Sequence, residues 1–268
     1  MKVHNKIFVV TGAGGGIGGE LVLELLSRGA KVVAVDLRDE GLQALKQRAS
    51  NYATQVSTHT LDITDRQAVA TLPEVVMAVH GSVDGVINCA GIIQPFVRVN
   101  DLDYDAIERV MNVNFYGTLY MTKAFLPYLL KRGEAHLVNV SSMGGFLPVP
   151  GQSIYGASKA AVKLLTEGLY AELLDSPVHV TAVFPGATDT DIAKNSKVAI
   201  AVSGTDSTKQ QFKALPANKA AAIIVDGIEK NKPQIFTGSD SRSMNRLYRL
   251  NPVFATRFIA KRMKTLLR

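Results

Sequence analysis

Short apolar runs alternate with segments of helical spacing along most of the chain. The run Ile7-Phe8-Val9-Val10-Thr11 stops at glycines, and residues 18–28 follow with Leu21, Leu25 and Leu26 on one helical face. Residues 31–36 form a β-branched run, and a helical stretch over about 38–50 comes next. The alternation continues with strand-like 57–61, 83–88, 135–140 and 178–184, between helical 65–80, 103–130 and 153–174. Strands that are apolar throughout, separated by helices, belong to a parallel sheet covered on both faces. With right-handed crossovers the pattern predicts an α/β fold built on a doubly wound parallel sheet. The stretch 187–215 is polar, weakly periodic and follows a strand's carboxyl end, so it is expected to cover a substrate.

Composition narrows the class. A chain of 268 residues, 47% hydrophobic and 20% charged, buries a core without disulfide or metal staples. Its single cysteine, Cys89, has no intrachain partner and fits a reducing compartment. The opening residues lack a signal-peptide pattern, and no apolar run approaches the twenty or so residues of a membrane span, so a cytoplasmic protein is expected. The net charge of +7 is local. Residues 239–268 hold eight Lys or Arg and one Asp, whereas the preceding 238 residues hold 22 basic and 22 acidic groups. The body therefore carries no general nucleic-acid footprint.

Thr11-Gly12-Ala13-Gly14-Gly15-Gly16-Ile17-Gly18 lies between the first strand and the first helix. Glycines there let the backbone turn sharply and approach a pyrophosphate, while the helix N-terminus offers free N–H groups. Methyltransferases and ordinary tight turns use similar runs; the position inside a βαβ unit points to a dinucleotide. Asp36 closes the second strand, where a carboxylate accepts hydrogen bonds from the adenosine ribose diol and repels a 2′-phosphate. Neither Gly15 nor Leu37 supplies a cation, so the balance is for NAD over NADP, with Arg38 the residue that could serve a phosphate. A helix N-cap is the other reading of Asp36.

Tyr155 and Lys159 lie four apart in a helical stretch and share a face. A phenol titrates near 10 unaided, and a neighbouring ammonium brings it towards the working range of a base. Such a pair means little alone. Ser142, thirteen residues before Tyr155, ends a strand at the edge where ligands bind, as does Asn88-Cys89-Ala90-Gly91, and Asn114 interrupts a helix it does not favour. His4, His59, His80, His136 and His179 are scattered without ligand spacing, so no metal site is expected.

In this order the motifs resemble those of the short-chain dehydrogenase/reductases, in their main single-domain subgroup. The resemblance runs from Lys6 to about Thr237 through Thr11-Gly12, Gly16, Gly18, Asp62, Asn88 to Gly91, Asn114, Ser142, Tyr155, Lys159, Pro185-Gly186 and Thr190. Cys89 departs from it, since an asparagine is common there. The resemblance implies a Rossmann fold, one dehydrogenase domain over 1–238, and hydride transfer between a nicotinamide cofactor and an alcohol or ketone. It implies Tyr155 as acid/base, Lys159 tuning it and holding the nicotinamide ribose, Ser142 on the reacting oxygen, and Asn114 anchoring a proton-relay water. Thr190 and the backbone after Pro185-Gly186 would hold the carboxamide. With Gly12, Gly14, Gly15, Gly16, Ile17, Gly18, Asp36, Asp62, Ile63, Asn88, Ala90, Gly91 and Thr188, the residues Tyr155, Lys159, Pro185, Gly186 and Thr190 make up the expected cofactor contacts. No metal is implied. Alternatives are an NADP-dependent carbonyl reductase or a dinucleotide-binding sensor without catalysis; the intact set of Asn114, Ser142, Tyr155 and Lys159 argues against the sensor.

Phe96, Val97, Phe146, Leu147 and Val149 are expected, with 187–215, to shape an apolar pocket for a secondary alcohol or ketone. The aromatic face of Phe115, Tyr116, Leu119 and Tyr120 fits a homodimer or homotetramer, or internal core. In the tail 239–268, Arg257, Lys261, Lys264 and Arg268 form a basic stripe beside Phe254, Phe258, Ile259, Met263, Leu266 and Leu267. That pattern suits a helix packed on the body or a basic amphipathic helix resting on an anionic membrane.

Overall fold

A seven-stranded parallel sheet forms the middle layer of the computed structural model, which describes residues 1–196, 198 and 214–263. In spatial order its strands are β3 (Val56–Thr60), β2 (Lys31–Asp36), β1 (Ile7–Thr11), β4 (Gly85–Asn88), β5 (Ala135–Val140), β6 (Val178–Pro185) and β9 (Gln234–Thr237). A two-stranded ribbon pairs β7 (Thr188–Asp189) with β8 (Leu215–Pro216).

Alternation along β1 sends side chains to opposite faces. Phe8 and Val10 join Leu21, Leu25 and Leu26 of α1 (Gly16–Ser27), Leu42 and Leu45 of α2 (Asp39–Arg48), and Ile224 and Ile228 of α8 (Ala217–Glu229). Ile7 and Val9 join Val69, Leu72 and Val76 of α3 (Arg66–His80), with Met121, Phe125 and Leu129 of α5 (Thr118–Leu129). Both faces are thus buried, as the apolar strands require. The chain winds from β1 outward to β3, then returns to lay β4 on the other side of β1. The carboxyl ends of β1 and β4 consequently diverge and leave a crevice.

The structure departs from the periodicity at informative places. The expected helix over 103–130 is α4 (Tyr104–Met111) and α5, joined by one wide π turn at Asn112–Gly117. Gly117 packs closely there, since a Cβ on it would stand 2.6 Å from Ile63 Cδ1 and that side chain would have to shift. The strand expected from residue 83 begins at Gly85, because Asp84 is turned to cap β1, accepting from Ile7 N at 2.9 Å and pairing with Arg132 at 2.8 Å. α8 and β9 complete the sheet beyond the alternation read from the sequence.

The chain after β9 folds back. α9 (Ser239–Leu250) and α10 (Pro252–Arg262) meet at Asn251, whose Oδ1 accepts from Phe254 N at 2.9 Å and caps α10. Ala255 and Ile259 are buried with Leu147, against Met143, Phe146, Met244 and Leu247. Lys264, Leu266, Leu267 and Arg268 lie outside the described residues, as does most of the expected cover over 187–215, of which β7, α7 (Ile192–Asn195) and β8 are described. Among the described residues no helix is long and apolar enough to cross a membrane.

His136 is a buried weak point on β5. Thr181 Oγ1 donates to the Lys232 carbonyl at 2.6 Å, so it accepts from His136 Nε2 at 2.8 Å, and His136 Nδ1 has no hydrogen-bond partner among the described residues. Burial, helped by His179 and the N-terminal ammonium, lowers its pKa to about 3. The unfolded chain protonates this ring below about 6.5 while the fold does not, so stability is full above that pH and falls as pH drops towards 3. We expect a loss of about 1 kcal/mol per pH unit from this residue, read by urea unfolding at pH 7, 5.5 and 4.5, and a shallower slope in His136→Gln. Equal slopes in the two proteins would refute it.

Candidate active site

The first loop is shaped by close approach. Gly12 has φ of 70°, and a Cβ on it would lie 2.8 Å from Ala90 Cα; a Cβ on Gly18 would lie 2.1 Å from the Gly12 carbonyl oxygen. Glycine is the residue that fits both places. Gly15, at the N-cap of α1, has nothing within 4 Å of its Cβ position, so the helix N-terminus opens on free space. Among the described residues no side chain caps that end, and its N–H groups are available to an anion.

Asp36 lies beside this loop. Its carboxylate accepts from Gly14 N and from Arg38 N, both at 2.9 Å. It is not the N-cap of α2, a place that Arg38 occupies. The Arg38 guanidinium reaches Asn195 Oδ1 at 2.7 Å and stands 3.7 Å from Asp36. Ser196 Oγ accepts from Ile93 N at 3.0 Å, so α7 is tied to β2 on one side and to the loop after β4 on the other.

The reactive groups come from β5 and from α6 (Ser153–Glu172). Ser142 follows β5 and accepts from Gly144 N at 3.0 Å, which turns the chain into the short helix Met143–Gly145. The Tyr155 hydroxyl is hydrogen-bonded with Ser142; burial holds its pKa above the ordinary phenol value, and the Ser142 bond opposes that rise. Lys159 Nζ donates to the Val140 carbonyl at 2.9 Å, and burial lowers its pKa to about 8. Ser141 Oγ donates to the Lys159 carbonyl at 2.7 Å. Cys89 Sγ lies nearby with its thiol pushed up to about 12 by burial, so it stays protonated.

These groups line one cleft of about 380 Å³. Of the residues expected from sequence, Gly12, Gly15, Gly16, Ile17, Gly18, Asp36, Asp62, Ile63, Ala90, Gly91, Ser142, Tyr155, Lys159, Pro185, Gly186, Thr188 and Thr190 all border it. Others do not. The Asn88 side chain turns into the interior, donating to Asn139 Oδ1 at 2.8 Å and Thr122 Oγ1 at 3.2 Å, so it braces β4 against β5 and α5. Gly14 faces the Asp36 carboxylate. Asn114, fully buried in the π turn, clasps Ile92 by accepting from its N–H at 2.9 Å and donating to its carbonyl at 3.0 Å, and also donates to Ser158. Phe146 and Leu147 pack under α9 and α10 and are not among the cleft's lining, because the turn after Ser142 points them away; Ile92, Ile93, Val113 and Ile192 supply apolar lining instead. Among the described residues no three of His, Cys, Asp or Glu group as metal ligands.

One residue escaped sequence reading. Gln94, fully buried, accepts from Ile154 N at 2.8 Å and Tyr155 N at 2.9 Å with Oε1, and its own carbonyl accepts from Gln152 Nε2 at 2.7 Å. A side chain from the loop after β4 therefore caps the helix that carries Tyr155. Nothing in the local pattern around Gln94 signals a cap supplied from sixty residues away.

A family model described as short chain dehydrogenase matches residues 6–200. The chain is 37% identical over 257 residues to SadH of Mycobacterium tuberculosis, a protein named as an oxidoreductase, with 92% of this chain and 91% of that one covered. Among solved structures, a short chain dehydrogenase/reductase from Burkholderia phymatum in complex with NAD is similar at a TM-score of 0.82 and 24% identity, over 95% of this chain and 96% of that one. That likeness is one of fold. A short chain dehydrogenase from Burkholderia cenocepacia in complex with NADP is similar at a TM-score of 0.79 and 26% identity, over 98% and 99% of the two chains.

Removing the Gln94 cap leaves two part-buried N–H groups unpaired, at about 1–2 kcal/mol each. Gln94→Leu is expected to lose about 2–4 kcal/mol in urea unfolding. Gln94→Glu, read at pH 4 where its buried carboxyl is protonated and its carbonyl oxygen still accepts both bonds, loses clearly less. Equal losses in the two variants would remove the cap from the account.

Proposed function

The chain belongs to the short chain dehydrogenase family and is an NAD(P)-dependent oxidoreductase; within it, we propose that it moves hydride between NAD(H) and a secondary alcohol or its ketone, with Tyr155 as acid/base. The observation that carries this reading is that Tyr155, Ser142 and Lys159 border the same cleft as the glycine loop. The residues there fit a dinucleotide: an uncapped helix N-terminus opening at Gly15, and a carboxylate, Asp36, at the end of β2. Bound there, the dinucleotide accepts or donates the hydride.

The chain's own groups do the rest. Gly12, Gly14, Gly15, Gly16, Ile17 and Gly18 shape the pyrophosphate cradle, with Asp62 and Ile63 beside Asp36 at the adenosine end. Ala90, Gly91 and Lys159 would hold the nicotinamide ribose, and Pro185, Gly186, Thr188 and Thr190 would hold the carboxamide. Tyr155 gives its proton to the carbonyl oxygen in reduction and removes it in oxidation. Ser142, already bonded with the phenol, donates to the same oxygen and stabilises its developing charge. Lys159 is a cation at neutral pH and favours the phenolate as the proton leaves. Asn114 holds Ile92, and through it the segment after β4 that borders the cleft.

Asp36 supports NAD over NADP, since its carboxylate would meet a 2′-phosphate with like charge while Arg38 is engaged by Asn195. The apolar lining from Ile92, Ile93, Val113 and Ile192 suits a substrate with a hydrophobic body. Tyr116 on the π turn, with Leu164 and Tyr170 on α6, is exposed, which suits a homodimer or homotetramer built on these helices; a cytoplasmic setting suits the lone, protonated Cys89.

A panel of secondary alcohols and ketones assayed with NAD and NADP side by side tests the reading. Tyr155→Phe is expected to lose turnover by about a thousandfold or more while the dinucleotide dissociation constant changes by no more than about tenfold, since proton transfer is lost entirely and at most one hydrogen bond to the cofactor goes with it. Undiminished turnover in this variant would end the assignment. In the reducing direction kcat is expected to fall as pH rises through about 8, where Lys159 loses its charge; a rate that is flat from pH 7 to 9 would contradict the role given to Lys159. Asp36→Ala is expected to weaken NAD at least about tenfold, for hydrogen bonds to a charged group, and to strengthen NADP. Unaltered preference in that variant would shift the discrimination to other residues.

A further inference from the structure

The apolar face of α10 is already occupied. Ala255 and Ile259 are buried on the body with Leu147, and Phe258 and Met263 lie half-buried on the same helix, so α10 does not have a free hydrophobic stripe to lay on a surface. What remains outside is the corner where α9 ends and α10 begins. Leu250, Val253 and Phe254 are 85%, 60% and 53% exposed there, although a polar residue would satisfy any of these positions. Exposed cations follow one turn away on either side: Arg246 and Arg249 on α9, Arg257 on α10 and then Lys261. The single acid in this part of the chain, Asp240, is turned to Ala187 N at 2.8 Å. The first 238 residues balance at 22 basic and 22 acidic groups, whereas residues 239–263, which make this corner, hold six basic groups and one acid.

We propose that the α9–α10 corner docks the protein on an anionic lipid bilayer. Leu250, Val253 and Phe254 enter the boundary between headgroups and acyl chains, and Arg246, Arg249 and Arg257 lie at the phosphates. Lipid is the partner whose chemistry matches both parts of the patch. Nucleic acid would take the cations but offers nothing to three apolar side chains at the tip. A second copy across a two-fold axis would set this cationic corner against itself, which like charges oppose. The contact is a tip that inserts while α10 stays on the body, not a helix that peels away to lie flat. On its inner side α10 rests on Met143, Phe146 and Leu147, the residues that follow Ser142, so the docked face is one helix away from the alcohol end of the cleft. The docking itself holds whatever reaction the cleft performs.

Co-sedimentation of the full chain with vesicles tests this. The protein is expected to sediment with phosphatidylcholine vesicles containing phosphatidylglycerol, to stay in the supernatant with phosphatidylcholine alone, and to be released by salt. Arg249→Gln with Arg257→Gln should lower the partition constant about 25-fold, at about fivefold for each charge near the surface. Phe254→Ser should lower it at least about tenfold through the lost insertion. Both variants should keep the wild-type thermal midpoint, which separates docking from folding. An intact protein that ignores anionic vesicles overturns the proposal, as do variants that partition like the wild type. Binding to a DNA duplex that is lost in the arginine variant and kept in Phe254→Ser would assign the corner to nucleic acid. Concentration-dependent self-association abolished by Phe254→Ser would assign it to a second copy.

Discussion

Two strands whose onward connections leave in opposite directions have to be kept together at the very end where they part, and here a single buried hydroxyl does it. Thr11, the last residue of β1, is almost fully buried, and its Oγ1 accepts from Cys89 N at 3.1 Å and Ala90 N at 3.2 Å, just past the end of β4. The ladder between the two strands ends at Thr11 and Asn88, so these bonds extend the pairing by a side chain once the backbones diverge. Gly12 then turns away with positive φ and leaves no room for a Cβ against Ala90. The width of the cleft follows from that contact. Its one wall is the loop that begins at Gly12, and the other is the segment from Ala90 to Gln94.

From this point outward the candidate site is held by side chains gripping backbone. Gln94 caps the start of α6 at Tyr155, Asn114 clasps both polar groups of Ile92, Ser141 holds the carbonyl of Lys159, and Lys159 itself reaches the Val140 carbonyl. Buried polar groups cost free energy unless paired, so each of these bonds also fixes a geometry. The result places a phenol, a serine and an ammonium against one cleft with little freedom to wander. Burial has opposite consequences for the two titrating groups, raising Tyr155 and lowering Lys159. Their protonation equilibria, close together in water, are thereby driven apart, with the ammonium titrating near 8 and the phenol above its ordinary value.

The parts of this arrangement that could be read from sequence are those with a local signature. The apolar runs at 7–11, 31–36 and 135–140 became strands because their continuous hydrophobicity fits a sheet covered on both faces. Gly12, Gly18, Asp36, Ser142 and Tyr155 were legible because each belongs to a strand end or a helix start whose geometry dictates the residue type. Asn88 looked like its neighbours Ala90 and Gly91, yet strand alternation turns it inward to Asn139 and Thr122. Asn114 was legible as an odd helix residue, but it sits in a wide turn and its partners Ile92 and Ser158 lie in distant segments. Gln94 carried no local signal at all. Phe146 and Leu147 were misplaced for a related reason: their surroundings are made by α9 and α10, about a hundred residues later.

The spread of the cleft along the chain, from Gly12 to Asn195, ties it to the assembly of the entire sheet. β1, β2, β4, β5 and β6 all end at it, and its covering helix α7 is tied on both sides. A partly folded chain that lacks any one of these strands presents no complete cleft. A ligand held there therefore binds the native state and has no foothold on the unfolded one. By mass action, a free ligand at a hundred times its dissociation constant adds about 2.7 kcal/mol to the folding equilibrium. For a protein whose net stability is of the order of 5–15 kcal/mol, that is a considerable share. The abundance of such a chain in a cell is then coupled to the supply of whatever fills the cleft, through the fraction of molecules open to proteolysis at any moment.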